Sequence, residues 1–310
     1  MADEVLQVLA PQPTEIAVDG TFGLGGHGLR LLNHVVEGRV VGIERDGWVL
    51  ERAQDRIAAL DASSRARLTL HHGSFADLDN ILDAADLGGI DVGCLDLGVN
   101  SIQVNQSKRG FHRDDPTLDL RYDPTEMTAD ATTLLATASA EELADILFHL
   151  GDERLARPIA RALVRRREEG RPVQSAEDLA GLVAGVYRRR GIRRQKIHPV
   201  TRTVQALRLA VNDELEHVTR GVWAFLHRLN VGGRLAVLTF HSGEARIVKR
   251  AFNAVTKRRG TERTEDMAPD FPEDHRFERL IANVLRPSDE EVAANPRSRS
   301  AQLRAVRRVA

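Results

Sequence analysis

Three carboxylates stand at the ends of three apolar runs, where side chains of this type can meet a ligand. Asp19 closes Ile16-Ala17-Val18, Glu44 closes Arg39-Val40-Val41-Gly42-Ile43, and Asp96 closes Val92-Gly93-Cys94-Leu95. Between the first two lies Gly23-Leu24-Gly25-Gly26-His27-Gly28, which reads G-x-G-x-x-G. A glycine-rich turn between a strand and a helix start offers free backbone N–H groups and the positive end of a helix dipole, as nucleotide sites require. Alone the motif is weak, because ligand-free glycine-rich turns are common. Glu44 sharpens it. It follows Gly26 by 18 residues, close to the ~20 at which a carboxylate takes ribose hydroxyls. Phe75, just past Leu68-Thr69-Leu70-His71-His72, adds an aromatic at a further strand end.

These residues narrow the cofactor. An NAD dehydrogenase would need an acid–base residue for hydride transfer, and no Ser, Tyr and Lys set stands at familiar spacing; the only tyrosines are Tyr122 and Tyr187. A strand-end acid, a Gly loop, a ribose acid and an aromatic suit a methionine-bearing adenosine, and so point to S-adenosylmethionine. Phe75 by itself reads more readily as a core aromatic.

Elements must bring these residues together. Leu29, Leu31, Leu32, Val35 and Val36 recur at the spacing of one helix face. Further helices are expected near Trp48 to Leu60 and Leu78 to Ala85, and a fifth strand, Arg234 to Phe240, after a turn at Asn230-Val231-Gly232-Gly233. Strand–helix alternation at this pitch means a parallel sheet of βαβ units. Right-handed crossovers place the strand C-termini on one edge, so Asp19, Glu44, Phe75 and Asp96 converge on one crevice.

Between Arg113 and Thr201 strand signals vanish. Helical periodicity runs through Ala140 to Leu150, Arg154 to Arg167 and Ala176 to Arg190, with Ser139 and Ser175 as N-caps and Glu142 and Asp178 as capping-box acids. A long helix is expected from Val204 toward Leu229, a mobile loop over Glu262 to Pro272, and a late edge segment over Asn295 to Leu303. The expected division is 1–112 (core, first part), 113–201 (helical insertion) and 202–310 (core, second part, and C-terminal segment).

Composition sets bounds. The 310 residues are 42% apolar and 29% charged, ordinary for a globular protein with a sizeable core. No apolar run nears the ~18 residues of a membrane span, and Met1-Ala2-Asp3-Glu4 lacks the basic start of a signal peptide. The single Cys94 excludes an intramolecular disulfide and a Cys-rich zinc site; no metal is expected, and the cytoplasm is the expected location. The net charge of −1 hides three basic clusters: Arg161 to Arg171, Arg188-Arg189-Arg190 with Arg193, Arg194 and Lys196, and Arg297, Arg299, Arg304, Arg307 and Arg308. Such clusters suit phosphate contacts, or equally a solvated helix face.

A set of longer motifs runs along the chain in order. They are Asp19-Gly20-Thr21-Phe22-Gly23 with Gly25-Gly26-His27, Leu95-Asp96-Leu97-Gly98-Val99, Lys108-Arg109-Gly110-Phe111 and Leu118-Asp119-Leu120-Arg121. His198 to Arg208, Val211-Asn212-Asp213-Glu214-Leu215, Phe240-His241-Ser242, Arg246 to Arg250 and Asn295 to Ala301 complete it. With these the chain resembles, over nearly its whole length, the bacterial ribosomal RNA small-subunit methyltransferase H family, which methylates cytidine N4 in 16S rRNA. The resemblance implies an α/β fold: a Rossmann-like class I S-adenosylmethionine-dependent methyltransferase core with a mostly parallel doubly wound sheet and an all-helical insertion domain. It implies S-adenosylmethionine as donor and 16S rRNA of the small ribosomal subunit as partner, with no membrane; a homodimer is left open.

Carried over by matching motif, Gly25, Gly26 and His27 cradle the methionine end, Glu44 takes the ribose, Phe75 and Asp96 flank the adenine and sulfonium, and Gln103 closes on the ligand. Asp96 and Asn100 are the expected catalytic residues, as acceptors for the cytosine amine, with Asp119 or His241 as alternatives. The chain departs from the family's usual pattern at Asn100-Ser101-Ile102, Gly243, Ala245 and Glu44. Those departures keep a second expectation alive, a non-catalytic RNA-binding assembly factor with a retained cofactor pocket; an NAD-dependent oxidoreductase ranks third.

Overall fold

A computed structural model describes residues 1–192, 198–256, 272 and 274–310. The expected loop at Glu262–Pro272 lies, but for Pro272, outside the described residues, as do Arg193, Arg194 and Lys196 of the second basic cluster. The strands are β1 Ile16–Asp19, β2 Arg39–Glu44, β3 Leu68–His72, β4 Ile90–Asp96, β5 Leu229–Thr239, β6 Phe277–Arg279 and β7 Gln302–Arg308. They form one seven-stranded sheet in the order β3-β2-β1-β4-β5-β7-β6. The first five in that order pair in parallel, and β7 and β6 pair antiparallel. The doubly wound, mostly parallel sheet is as expected.

Helices α1 Ala2–Leu9, α2 Gly28–His34, α3 Gly47–Ala58, α4 Ala62–Arg67 and α5 Leu78–Ala84 are interspersed among the first strands. Next come α6 Ser101–Gln106, α7 Ala131–Thr137, α8 Ala140–His149, α9 Ala156–Glu168, α10 Ala176–Arg189 and α11 Val200–Val211, and then α12 Glu214–Arg228, α13 Ser242–Thr256 and α14 Asp289–Ala294. Two compact units result: a sheet unit of Met1–Gly98 with Leu215–Ala310, and a helical unit of Val99–Glu214.

In the sheet unit both faces are buried, which is why the strands read as unbroken apolar runs. Val18, Val41, Ile43, Leu95 and Val237 join one core cluster with α12 and α13. Ala17, Val40, Val92, Cys94 and Leu303 join another with α1 and α2. Glycines let helix and strand approach: a Cβ on Gly93 of β4 would lie 2.7 Å from the Phe225 ring of α12. Val36, expected on the apolar face of the helix after the glycine turn, is 51% exposed because α2 ends at His34, with Val35 as its C-cap, and the chain turns toward β2.

The helical unit takes in more than the 113–201 insertion expected, and the reason lies in local bonding. Asp119 N and Leu120 N both donate to Arg109 O, and α11 shares a core with α8 and α10 through Ala206 and Leu207. The long helix expected from Val204 to Leu229 is two helices. Asp213 adopts a left-handed φ of 50°, and Asn212 Nδ2 donates to Leu120 O at 2.7 Å while its Oδ1 accepts from Tyr122 N at 2.6 Å. A side chain so used ends a helix that periodicity alone would continue. The expected turn at Asn230–Gly233 is a bulge inside β5, where the register jumps from Ile90↔Leu229 to Val92↔Arg234. The late segment is a short 3-10 helix, Pro296–Ser300, followed by β7, which lies between β5 and β6 rather than at the edge.

Candidate functional site

The chain runs outward from β1 to β2 and β3, then returns to β4 on the other side of β1. That reversal opens a crevice beyond the strand C-termini between β1 and β4, where ligands of doubly wound sheets bind. The last residues of those two strands are Asp19 and Asp96. Glu44 ends the neighbouring β2, and Phe75 follows β3 by three residues.

The glycine loop is shaped largely by one ring. Phe22 is buried beneath it, and a Cβ on either Gly28 or Gly42 would come within 2.4 Å of that ring. Gly25 takes a φ of +82° and its N–H donates to Phe22 O at 2.7 Å, a turn that suits glycine. Gly26 is exposed, with nothing within 4 Å of where its Cβ would stand. This leaves open space at the tip of the loop.

His27 points from the loop toward Asp96, with Nε2 and Oδ2 3.5 Å apart. Asp19 is fully buried; its Oδ1 accepts from Thr21 N at 3.1 Å. Thr21 is the link sequence reasoning left unassigned, since its Oγ1 accepts from Asp96 N at 2.7 Å and so ties β1 to β4. Three buried atoms here have no hydrogen-bond partner among the described residues: Asp19 Oδ2, His27 Nδ1 and Asp96 Oδ1. Burial raises the Asp19 pKa, with Asp96 adding to it, while His27 and the amides of Thr21 and Gly28 oppose. For His27 burial pushes downward, but the bond to Asp96 and the charges of Asp96 and Asp19 outweigh it, and the net shift is upward.

Glu44 is buried and tied to the backbone. Its Oε2 accepts from Gly23 N at 2.8 Å and its Oε1 from Asp46 N at 2.9 Å. Desolvation dominates these bonds and lifts its carboxyl to about 7. Asp46, also missed in the sequence, is fully buried and caps α3 by accepting from Trp48 N. Phe75 is half-buried, and a Cβ on Gly221 of α12 would come within 2.2 Å of its ring. It packs against the core as well as standing at a strand end.

Asn100 and Gln103 belong to the helical unit. They form a capping box at the start of α6: Gln103 N donates to Asn100 Oδ1 at 2.9 Å, and Asn100 N to Gln103 Oε1 at 3.0 Å. Asp119, a sequence alternative for the acceptor, is held bidentately by Arg121 at 2.8 Å on both oxygens. His241 of the sheet unit lies 2.9 Å from Glu244 Oε1, whose other oxygen accepts from Phe240 N.

The donor set fits a cofactor with a positive centre and ribose hydroxyls. Two bare carboxylate oxygens, an unpartnered imidazole nitrogen, open space at Gly26 and a third carboxyl one strand away are complementary to such a group. Among the described residues no helix is long and apolar enough to cross a membrane.

Comparison with known proteins bears on the whole chain. Residues 1–309 match the model of the MraW methylase family. A Ribosomal RNA small subunit methyltransferase H of Leptothrix cholodnii is 42% identical over 307 residues, covering 98% of this chain and 91% of its own. Proteins of the same name from Rhodospirillum rubrum and Methylorubrum extorquens are each 41% identical. The first match covers 99% of this chain and 93% of that relative, the second 98% and 85%.

Proposed function

The chain belongs to the MraW methylase family, and from that premise we propose that it methylates the exocyclic N4 amine of a cytidine in 16S rRNA. The donor is S-adenosylmethionine, and the enzyme works on the small ribosomal subunit in the cytoplasm. The core is that of a class I methyltransferase. The observation that carries the site assignment is the pair of bare carboxylate oxygens, Asp19 Oδ2 and Asp96 Oδ1, at the switch point of the sheet.

S-adenosylmethionine, when bound, supplies an electrophilic methyl on a sulfonium. Everything else falls to the residues. Gly25, Gly26 and His27 hold the methionine end, Glu44 takes ribose hydroxyls, and Phe75 and Asp96 flank the adenine and sulfonium. Asp19 is fully buried, and burial holds its pKa above the ordinary carboxylate range, so a cation close by would favour its ionised form. The cytosine amine is a weak nucleophile because its lone pair is delocalised into the ring. Asp96 Oδ1 accepts its N–H, orients the lone pair and offsets the charge that develops on nitrogen. Orientation of this kind can supply ~7–11 kcal/mol, and an aimed carboxylate adds electrostatic stabilisation. Thr21 positions Asp96 through its backbone amide.

The test is mass spectrometry of nuclease-digested 16S rRNA from strains with and without the protein. N4-methylcytidine should disappear with the gene and return with the wild-type chain but not with Asp96→Ala. Return of the mark with that variant would overturn the assignment, and an unchanged mark in the deletion strain would overturn the activity.

A further inference from the structure

A second cavity, of about 390 Å³, lies in the sheet unit among α13, the segment after β6 and β7. That is large enough for a small ligand. Lys249, Arg279 and Arg304 line it with the amides of Asn253 and Asn283, and no carboxylate is among the described residues that line it. Arg304 is the half-buried cation of the group. Its Nη2 donates to Gln302 Oε1 at 3.0 Å, but its Nη1 is buried with no acceptor among the described residues. Arg279 and Arg286 lie near enough to act on it as like charges, and burial first, then these two, depress its pKa. Arg279 donates to Asn253 Oδ1, a neutral partner. By contrast, Arg307 on the same strand pairs with Glu278.

Such an arrangement is costly unless something negative completes it. Like charges repel, and a buried guanidinium N–H without an acceptor forfeits the hydrogen bond it had in water. Arg is the side chain best shaped to grip a phosphate, and amide N–H groups extend the grip. We propose that this cavity is a phosphate-binding site, with Arg304 as its central donor and Lys249 and Arg279 at its rim. The phosphate belongs either to the backbone of a bound RNA or to a free nucleotide; the chemistry is shared and the experiment separates them.

The full chain is titrated by fluorescence anisotropy with a labelled single-stranded RNA 12-mer at several salt concentrations, and by calorimetry with 5′-AMP. Variants are Arg304→Gln, the rim double variant Lys249→Gln with Arg279→Gln, and Arg39→Gln as a charge control at the start of β2. Affinity for S-adenosylhomocysteine, measured alongside, reports an intact fold. An RNA source predicts that R304Q lowers the slope of log K against log salt by about 0.7, the value for one single-strand phosphate, and weakens binding several-fold, with R39Q unchanged. A free-nucleotide source predicts that AMP binds the wild type and not R304Q, at an unchanged RNA slope. If R304Q fails to fold, the double variant carries the same two readouts. Unchanged RNA slope together with absent or unaltered AMP binding, or an equal effect of R39Q, overturns the proposal.

Discussion

One buried carboxylate of the sheet unit, Asp19, is treated differently from its neighbours Glu44, Asp46 and Glu244 and from the buried acids of the helical unit. In the helical unit each buried carboxylate among the described residues is hydrogen-bonded, and none appears with a bare buried oxygen: Glu153 accepts from both Tyr187 Oη and Leu155 N, Asp115 through Oδ2 from Gly110 N and His112 N, Asp123 through Oδ1 from Thr125, and Glu214 from Arg208 twice. In the sheet unit Asp19, as deeply buried as any of them, keeps one oxygen bare beside the half-exposed Asp96. Hydrogen-bonded acids build structure. An acid left bare, at a sheet's switch point and against a glycine loop, marks where free energy of folding is given up for a ligand.

The strongest way to sharpen this contrast is Asp96→Ala. It should cut methyl transfer by roughly 10²–10³-fold, the usual effect of removing one charge-stabilising group, with the thermal melt unchanged because Asp96 is half-exposed. Turnover at the wild-type rate would break the comparison. On the other side, Tyr187→Phe strips Glu153 of its hydroxyl partner and should cost roughly 1–3 kcal/mol of stability. Calorimetry with S-adenosylhomocysteine should detect no change in that variant.

Asp19→Asn comes next. Replacing a carboxyl that burial strips of water and leaves with one bare oxygen should raise the melting temperature, by roughly 2–4 °C per kcal/mol relieved, while donor affinity falls about tenfold, or ~1.4 kcal/mol. A variant that is both less stable and undiminished in affinity would assign Asp19 to structure. The smallest effect expected concerns Glu44. Its folded pKa of about 7 exceeds its ordinary 4.5, so the folded state holds the proton more tightly than the unfolded chain. The stability this supplies is complete below about 4.5 and is lost as pH rises through about 7. Wild type should therefore lose thermal stability between pH 5 and 8 more steeply than Glu44→Gln, as scanning calorimetry across that range would show.

Much of the sheet was legible because parallel strands buried on both faces carry unbroken apolar runs, and each run here ends on its polar residue. Asp19, Glu44 and Asp96 could thus be placed at one edge from sequence. Thr21 could not be given its part: its hydroxyl meets the backbone of a strand 75 positions later, a relation no local pattern encodes. The fit of Phe22 against both Gly28 and Gly42 was hidden for the same reason. In the helical unit periodicity found α8, α9 and α10, and Ser139 with Glu142 forms the expected capping box. It missed the break at Asn212-Asp213, because apolar spacing continues across a stop made by side-chain bonds to Leu120 and Tyr122. Asn100 and Gln103 were read from motif position alone, and their mutual cap required coordinates.

The most direct test is a calorimetric titration of the full chain with S-adenosylmethionine, repeated with Asp19→Asn and Asp96→Ala. Saturable binding at one molecule per chain, weakened by each substitution, is the predicted result. Absence of heat with the wild type, or equal affinity in all three proteins, would contradict the assignment of these acids to the methyl donor.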